Sequence, residues 1–300
     1  MTFRIPHVPI LLLILGAAPD QSRASDSGLK AELAAADALR DAQRSVDARA
    51  AYAKILQEAP DNPEANCSYG LYACDAGDWQ TALRCEAKAL AADPHNARYQ
   101  YGWGAANGTA ALKASLFSKL GYAKKCLAAY QRASELEPRN LQYHWGLLQY
   151  YQQAPGIVGG DMAQAYVQAA ELKKLDPSSG HQAFAQLYLR EKKYGLAFQE
   201  YDEALRAAPD SYSDLYNFGR LALMTGQRLE EALGAFRRCL ALTPGRGLPT
   251  HGNVHWRIGG VFEQQGHPDQ ARAEYLEALK EQPGFRPAQQ ALDKLNQVKA

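Results

Sequence analysis

Small, aromatic and proline residues recur along the chain at a near-constant interval. Seven prolines follow one another at distances of 34, 44, 39, 32, 35 and 39 residues: Pro60, Pro94, Pro138, Pro177, Pro209, Pro244 and Pro283. Twelve residues before each proline stands a small residue: Ala48, Ala82, Cys126, Ala165, Ala197, Ala232 and Ala271. Eight residues before it, five of the seven units carry a ring, with Glu86 and Ala169 as the exceptions: Tyr52, Tyr130, Tyr201, Phe236 and Tyr275. A period of this length predicts an array of repeated structural units.

The order of residues within a unit predicts two antiparallel helices. Short side chains let two helices approach closely, and the larger rings then fill the space between them. The proline ends the second helix because it cannot continue the hydrogen-bond ladder. Five units carry another small residue upstream, on the predicted first helix: Gly70, Gly104, Ala185, Gly219 and Gly259. Turn residues such as Gly77 and Asp78 would separate the two helices.

These residues resemble the tetratricopeptide repeat family, whose 34-residue helix-turn-helix has the same order of small, aromatic, small and proline residues. The resemblance covers residues 29–284, with departures at Ala36 and Leu148, which stand where other units have glycine. It implies an all-α, right-handed superhelical solenoid of about fifteen helices. The implied units are approximately 29–62, 63–96, 97–140, 141–177, 178–211, 212–244 and 252–284.

The last residues, 285–299, carry an apolar stripe of helical spacing at Ala288, Ala291, Leu292, Leu295 and Val298. A solenoid needs such a helix to cover the exposed face of its final unit. We therefore expect a C-terminal capping helix here.

Three segments interrupt the regular period and are predicted to be inserted loops: residues 108–117, 154–161 and 245–251. The second reads Ala-Pro-Gly-Ile-Val-Gly-Gly-Asp. It resembles a loop in a subgroup of exported bacterial tetratricopeptide proteins of undefined role, which implies a compartment but no activity.

The N-terminal residues 1–24 read as a signal peptide. Arg4 precedes a short apolar run, residues 10–18, which is too short to span a bilayer comfortably. Small residues at Ser22 and Ala24 predict cleavage before Ser25. The mature chain, residues 25–300, would then be a single solenoid that is periplasmic or secreted and not inserted in a membrane. The alternative is an uncleaved membrane anchor.

Composition narrows the function classes. Lys plus Arg number 33 against 32 Asp plus Glu, and no basic block stands out, so nucleic acid is not an expected partner. Five cysteines cannot all pair within one chain, although Cys85 could pair with Cys67 or Cys74 in an oxidising compartment.

No site for a metal, a cofactor or catalysis is expected. His251 and His255 are four residues apart, but His144, His181 and His255 share one position in their units, which favours a packing role and leaves His251 in a loop. The glycines of 156–160 lack the strand and the Lys-Ser or Lys-Thr pair of a phosphate-binding loop. No nucleophile, base and orienting group can be assembled, so we do not expect an enzyme.

The predicted binding site lies on the first helices, whose inward face lines the concave groove. The fifth residue of units three to seven gives an aromatic ladder with one gap: Tyr101, Trp145, Gln182, Tyr216 and Trp256. Neighbouring groove positions add Gln149, Gln186, Arg190 and Arg220. Rings with amides and arginines suit an extended ligand with many hydrogen-bonding groups. The alternative is that the rings pack between adjacent repeats.

The resulting hypothesis is a scaffold of the bacterial cell envelope that binds a peptide or protein partner. The alternative is an accessory protein for polysaccharide secretion or saccharide binding.

Overall fold

The structure, a computed structural model, describes residues 21–42, 44–245 and 247–298. The helices in these ranges are α1 (Gln21–Asp41), α2 (Ser45–Glu58), α3 (Pro63–Asp75), α4 (Trp79–Ala92), α5 (Ala97–Lys113), α6 (Leu116–Leu136), α7 (Leu141–Gln153), α8 (Met162–Leu175), α9 (Pro177–Arg190), α10 (Tyr194–Ala207), α11 (Tyr212–Thr225), α12 (Leu229–Ala241), α13 (His251–Gln264), α14 (Pro268–Glu281) and α15 (Arg286–Val298). The described residues contain no strand, so the all-α prediction of about fifteen helices is confirmed. Residues 1–20 of the predicted signal peptide lie outside these ranges, and the predicted cleavage point falls within α1.

Successive helices pack as seven antiparallel pairs, from α1 with α2 to α13 with α14, and α15 packs on α14. The cap buries Ala288, Leu292 and Leu295. These three side chains cover the last pair, as the apolar stripe predicted.

Short polar residues start most first helices. The side chains of Asn62, Asn96, Asn140, Ser211 and Thr250 each accept a hydrogen bond from a backbone N–H of the first helical turn. Asp176 does the same for α9 while it also ends α8, so Pro177 is the first residue of α9 rather than the last residue of the preceding unit.

The small residues of the period lie where rings of the second helices need space. A Cβ atom at Gly104 would lie 2.5 Å from the Tyr130 ring, and side chains at Gly219 and Gly259 would overlap Phe236 and Tyr275. Close packing of the two helices in these units therefore requires glycine, which has no side chain, at these positions.

Unit four achieves the same packing with the sizes exchanged. Leu148 stands at the glycine position on α7 and Ala169 at the ring position on α8, and both are fully buried in one cluster. The large side chain thus comes from the first helix instead of the second.

One of the three predicted loops is largely helical, and another is helical only at its last residue. Residues 108–117 lengthen α5 to 17 and α6 to 21 residues instead of forming a loop, because Ala, Leu and Lys continue the helical ladder. His251 is the first residue of α13 and not part of a loop, since the Thr250 hydroxyl caps the helix immediately before it. Residues 154–161 are a loop as predicted, with one 3-10 turn at Gly156–Val158.

All five cysteines have free thiols, so the pairing considered for Cys85 is not formed. None of the helices in the described ranges is both long and apolar enough to cross a membrane.

Candidate functional site

First helices of neighbouring units contact each other along one side of the solenoid. These contacts join α7 to α9, α9 to α11 and α11 to α13. Their exposed faces form a continuous surface, which we call the groove.

A small cavity of about 100 Å³ opens in the groove between α7, α9 and α11. We call it the groove pocket. Four of the predicted site residues line it: Trp145, Gln182, Gln186 and Arg220. Sequence reasoning did not select the remaining lining residues, Ala185, Leu189, Tyr201, Asn217, Leu221 and Met224.

Side-chain hydrogen bonds between first helices fix the amides of the groove pocket. Gln186 Nε2 donates to Gln152 Oε1 on α7 at 2.8 Å, and Gln182 Nε2 donates to Asp214 Oδ1 on α11 at 3.3 Å. Because both amides are held from a neighbouring unit, the pocket is organised before any ligand arrives.

Asp214 is the centre of this network. Its carboxylate is 1% exposed and accepts the Ser178 hydroxyl at 2.9 Å and the Ser211 hydroxyl at 2.6 Å in addition to Gln182. Buried carboxylates need such donors to offset the loss of hydration. Asp214 therefore links α9 to α11, and its carboxylate is already hydrogen-bonded by side chains of the protein.

The guanidinium of Arg220 is the charged group that lines the groove pocket. The Arg220 side chain is exposed, and it forms no ion pair within the part of the chain that the structure describes. Met224 is 58% exposed on the same helix. The pocket thus offers a guanidinium donor beside an apolar wall formed by Trp145, Leu189 and Met224.

Tyr101 and Tyr216 of the predicted ladder pack between helices rather than in the groove pocket. Tyr101 stacks on Tyr130 with ring centres 5.1 Å apart and tilts against Tyr143 at 5.3 Å, and burial raises its pKa. Tyr216 is 7% exposed and meets Phe236 edge to face at 5.8 Å. Tyr101 therefore bridges units three and four, as in the alternative interpretation, and Tyr216 packs against the second helix of its own unit.

The other predicted site residues lie elsewhere. Trp256 meets Phe285 edge to face at 5.8 Å, lies under the Arg257 guanidinium at 4.1 Å, and lines a separate cavity of about 530 Å³ against α15. Gln149 lines a cavity between α5, α6 and α7, and Arg190 is exposed at the end of α9.

A sequence signal for the missed lining residues exists. On α9 the pocket uses Gln182, Ala185, Gln186 and Leu189, which are spaced i, i+3, i+4 and i+7, the spacing of one helical face. On α11 the same spacing selects Asn217, Arg220, Leu221 and Met224. Following the whole face rather than one position per unit would have found all the missed lining residues except Tyr201, which lies on α10.

The three histidines that share one position in their units, His144, His181 and His255, connect the two helices of those units. Nδ1 of His144 contacts Gln168 at 2.9 Å, that of His181 contacts Glu200 at 2.8 Å and that of His255 contacts Glu274 at 2.7 Å. Each ring therefore links its first helix to its second.

One of these contacts belongs to a cluster with metal-ligand residue types, His181, Glu200 and Glu203. Lys173 Nζ lies 3.4 Å from Glu200 and 3.9 Å from Glu203. A lysine thus already supplies the positive charge that a metal would bring.

Comparison with known proteins agrees with this architecture. A sequence profile described as tetratricopeptide repeat matches residues 33–97, 183–247 and 216–286, more than half of the chain. No curated protein sequence is significantly similar to it.

Several solved structures share the fold at low identity. A tetratricopeptide repeat protein from Parabacteroides merdae has a TM-score of 0.55 at 14% identity, over 90% of this chain and 98% of that one. A thermophilic TPR protein from Thermus thermophilus has a TM-score of 0.54 at 20% identity, over 65% and 99%. The human IFIT1 dimer with m7Gppp-AAAA has a TM-score of 0.55 at 16% identity, over 85% and 58%. At these identities the similarity concerns the fold alone.

The helix pairs, the small-residue and ring positions that hold each pair together, and the profile matches lead to one conclusion: the chain belongs to the tetratricopeptide repeat family.

Proposed function

We propose that the protein is a non-enzymatic scaffold that binds an extended segment of a protein partner in the groove, with the groove pocket as its main contact. The observation that carries the proposal is the convergence of Trp145, Gln182, Gln186 and Arg220, from three successive units, on one cavity. Repeat proteins of this architecture use such continuous surfaces for binding.

The chemistry of the pocket suits a peptide. Its volume of about 100 Å³ admits one apolar side chain against Trp145 and Leu189. Arg220 can donate to a backbone carbonyl or a carboxylate of the same segment. The amides of Gln186 and Gln182 are already held by Gln152 and Asp214, so they lose little further conformational entropy when a ligand binds.

The test is a pull-down from cell-envelope extract with the wild-type chain and three variants. Trp145→Ala and Arg220→Glu should each lose the captured partner, since truncating a central aromatic or arginine anchor costs about 2 kcal/mol or more. Arg237→Glu makes the same charge change at an exposed position on α12, a second helix, and should retain the partner. A partner held equally by all four proteins would contradict the groove as the binding site.

We also propose that the protein acts in the cell envelope after removal of residues 1–24. The support is the charged start, the apolar run and the small residues before Ser25. N-terminal sequencing of the protein from a periplasmic or secreted fraction should begin near Ser25. Material that retains Leu11–Leu15, or that stays in the cytoplasm, would contradict export.

A second candidate is a saccharide-binding accessory to polysaccharide secretion. It is favoured by Trp145 beside the amides of Gln182 and Gln186, because a ring face and amide donors suit a sugar. Titration with oligosaccharides, followed by tryptophan fluorescence, separates the candidates: a saturable change that Trp145→Ala abolishes favours the saccharide, and none favours the peptide.

A further inference from the structure

The cavity that Gln149 lines has a volume of about 390 Å³ and lies outside the groove pocket, between α5, α6, α7 and the 154–161 loop. We call it the insert cavity. Gly108, Ala111 and Leu112 line it from the extended part of α5, and Pro155 and Val158 line it from the loop. It is therefore built by the two segments that depart most from the repeat pattern, in units three and four.

The loop wall of the insert cavity is held in place by hydrogen bonds. Tyr150 donates its hydroxyl to Val158 O at 2.6 Å, and Asp161 N donates to Tyr151 O at 3.0 Å. Val158 is 4% exposed, and Gly159 has a φ of 94°, a conformation that favours glycine. The cavity is thus a formed feature of the fold and not a gap beneath a loose loop.

The mouth of the insert cavity exposes large apolar side chains. Leu112 and Leu120 line the cavity and are 76% and 46% exposed. Ile157 does not line it but precedes Val158 in the loop and is 75% exposed. Single exposed apolar residues are ordinary, but a group of them around an apolar cavity marks a binding site.

The two helices that wall the cavity, α5 and α6, carry only positive charges from residue 94 to residue 134. Residues 94–134 contain no Asp or Glu and carry Arg98, Lys113, Lys119, Lys124, Lys125 and Arg132. Lys119 lines the cavity and has no acidic partner among the described residues. Gln149 and Gln153 add neutral hydrogen-bonding groups to the lining.

From this geometry we propose that the insert cavity binds a free, single-chain fatty-acid anion, with its hydrocarbon chain against Ala111, Leu120 and Ala123 and its carboxylate at Lys119. The apolar lining provides the driving force for the chain, and the uncompensated ammonium selects a negative head group. A volume near the lower end of the roughly 300–1,000 Å³ of small-ligand pockets favours one chain over a two-chain phospholipid.

Calorimetric titration with sodium dodecanoate, below its micelle concentration, tests the proposal on the full chain. We expect saturable binding of one dodecanoate per protein. Dodecyltrimethylammonium, which has the same chain with a cationic head, should bind at least tenfold more weakly. Vesicles of phosphatidylglycerol should not retain the protein. Absence of saturable dodecanoate binding, equal affinity for the cation, or retention on vesicles would each overturn the proposal.

Matched variants locate the binding site. Ala123→Trp should fill the cavity and weaken dodecanoate binding at least tenfold, whereas Ala128→Trp, at an exposed position of the same helix, should not change it. Lys119→Glu should weaken binding several-fold, and Lys124→Glu, which does not line the cavity, should not. Ala111→Phe fills the cavity from α5 and serves if Ala123→Trp unfolds, as judged by circular dichroism. Undiminished binding to a folded cavity-filling variant would contradict the proposed site.

Discussion

The carboxyl group of Glu86 fills the space where a side chain at Gly102 would stand. Glu86 occupies the position at which most units carry a ring, and it is fully buried. Among the residues that the structure describes, neither of its oxygens has a hydrogen-bond partner. Burial raises its pKa well above the usual 4.5, and Cys67 and Arg98 oppose that rise without cancelling it. Unit two therefore holds a buried acid at the position where five of the other six units hold an aromatic ring.

This acid should make stability depend on pH. Because the folded-state pKa is raised, the folded protein keeps a proton that the unfolded chain releases above about pH 4.5. The favourable contribution is complete below that pH and is lost as pH rises through the folded-state pKa. Urea unfolding between pH 4.5 and 8 should show this decline in wild type and a smaller one in Glu86→Gln. Glu58→Gln, at an exposed position of α2, should follow wild type.

Glu86→Met should stabilise the protein at pH 7.5. It removes an unsatisfied buried polar group, which costs about 1–3 kcal/mol, and keeps a side chain of similar length. The free energy of unfolding from denaturant titration is the measurement. A destabilised Glu86→Met variant would mean that the carboxyl has a stabilising partner.

Tyr216 and Arg220, four residues apart on α11, should have separate roles in stability and in binding. Tyr216→Ala should lower the free energy of unfolding by about 3–5 kcal/mol, because it leaves a cavity beside Phe236. Arg220→Ala, at the exposed rim of the groove pocket, should change it by less than about 0.5 kcal/mol. Thermal and urea unfolding distinguish them, and equal losses would contradict the assignment of Arg220 to binding rather than stability.

Leu148 and Ala169 should behave as a coupled pair. Leu148→Ala should cost about 2–5 kcal/mol through an unfilled cavity, and Ala169→Phe about 1–3 kcal/mol or more through overpacking. The double variant should recover part of both losses because one change supplies the volume that the other removes. A double-mutant cycle with additive losses would contradict the exchange of sizes.

The loop beside the insert cavity should be sensitive to one glycine and not another. A Cβ atom at Gly160 would overlap the backbone carbonyl of Ala154, whereas no atom of the described residues lies within 4 Å of a Cβ at Gly156. Gly160→Ala should therefore lower the melting temperature and weaken dodecanoate binding, and Gly156→Ala should do neither. Differential scanning calorimetry and the dodecanoate titration provide the two readouts, and similar behaviour of the two variants would contradict a fixed loop wall.

The helices and their pairing could be predicted because each unit repeats the same steric solution within about 40 residues. The direction in which each ring points could not be predicted, because it depends on the packing of the neighbouring unit. A Cβ atom at Gly146 would lie 3.0 Å from the Tyr101 ring, so this ring packs on the next unit, while Trp145 stays at the groove pocket. The insert cavity was missed for a related reason: residues 108–117 were expected to form a loop, and their helical extension creates the wall.

The exchange of side-chain sizes between Leu148 and Ala169 in unit four also limits how this repeat array can be redesigned. Placing glycine at Leu148 alone would leave a cavity, and placing a ring at Ala169 alone would overpack the site. A consensus that averages the units position by position would treat the two sites as independent and choose an incompatible combination. Because each single change is destabilising, unit four is better replaced as a whole than changed at one of these two positions.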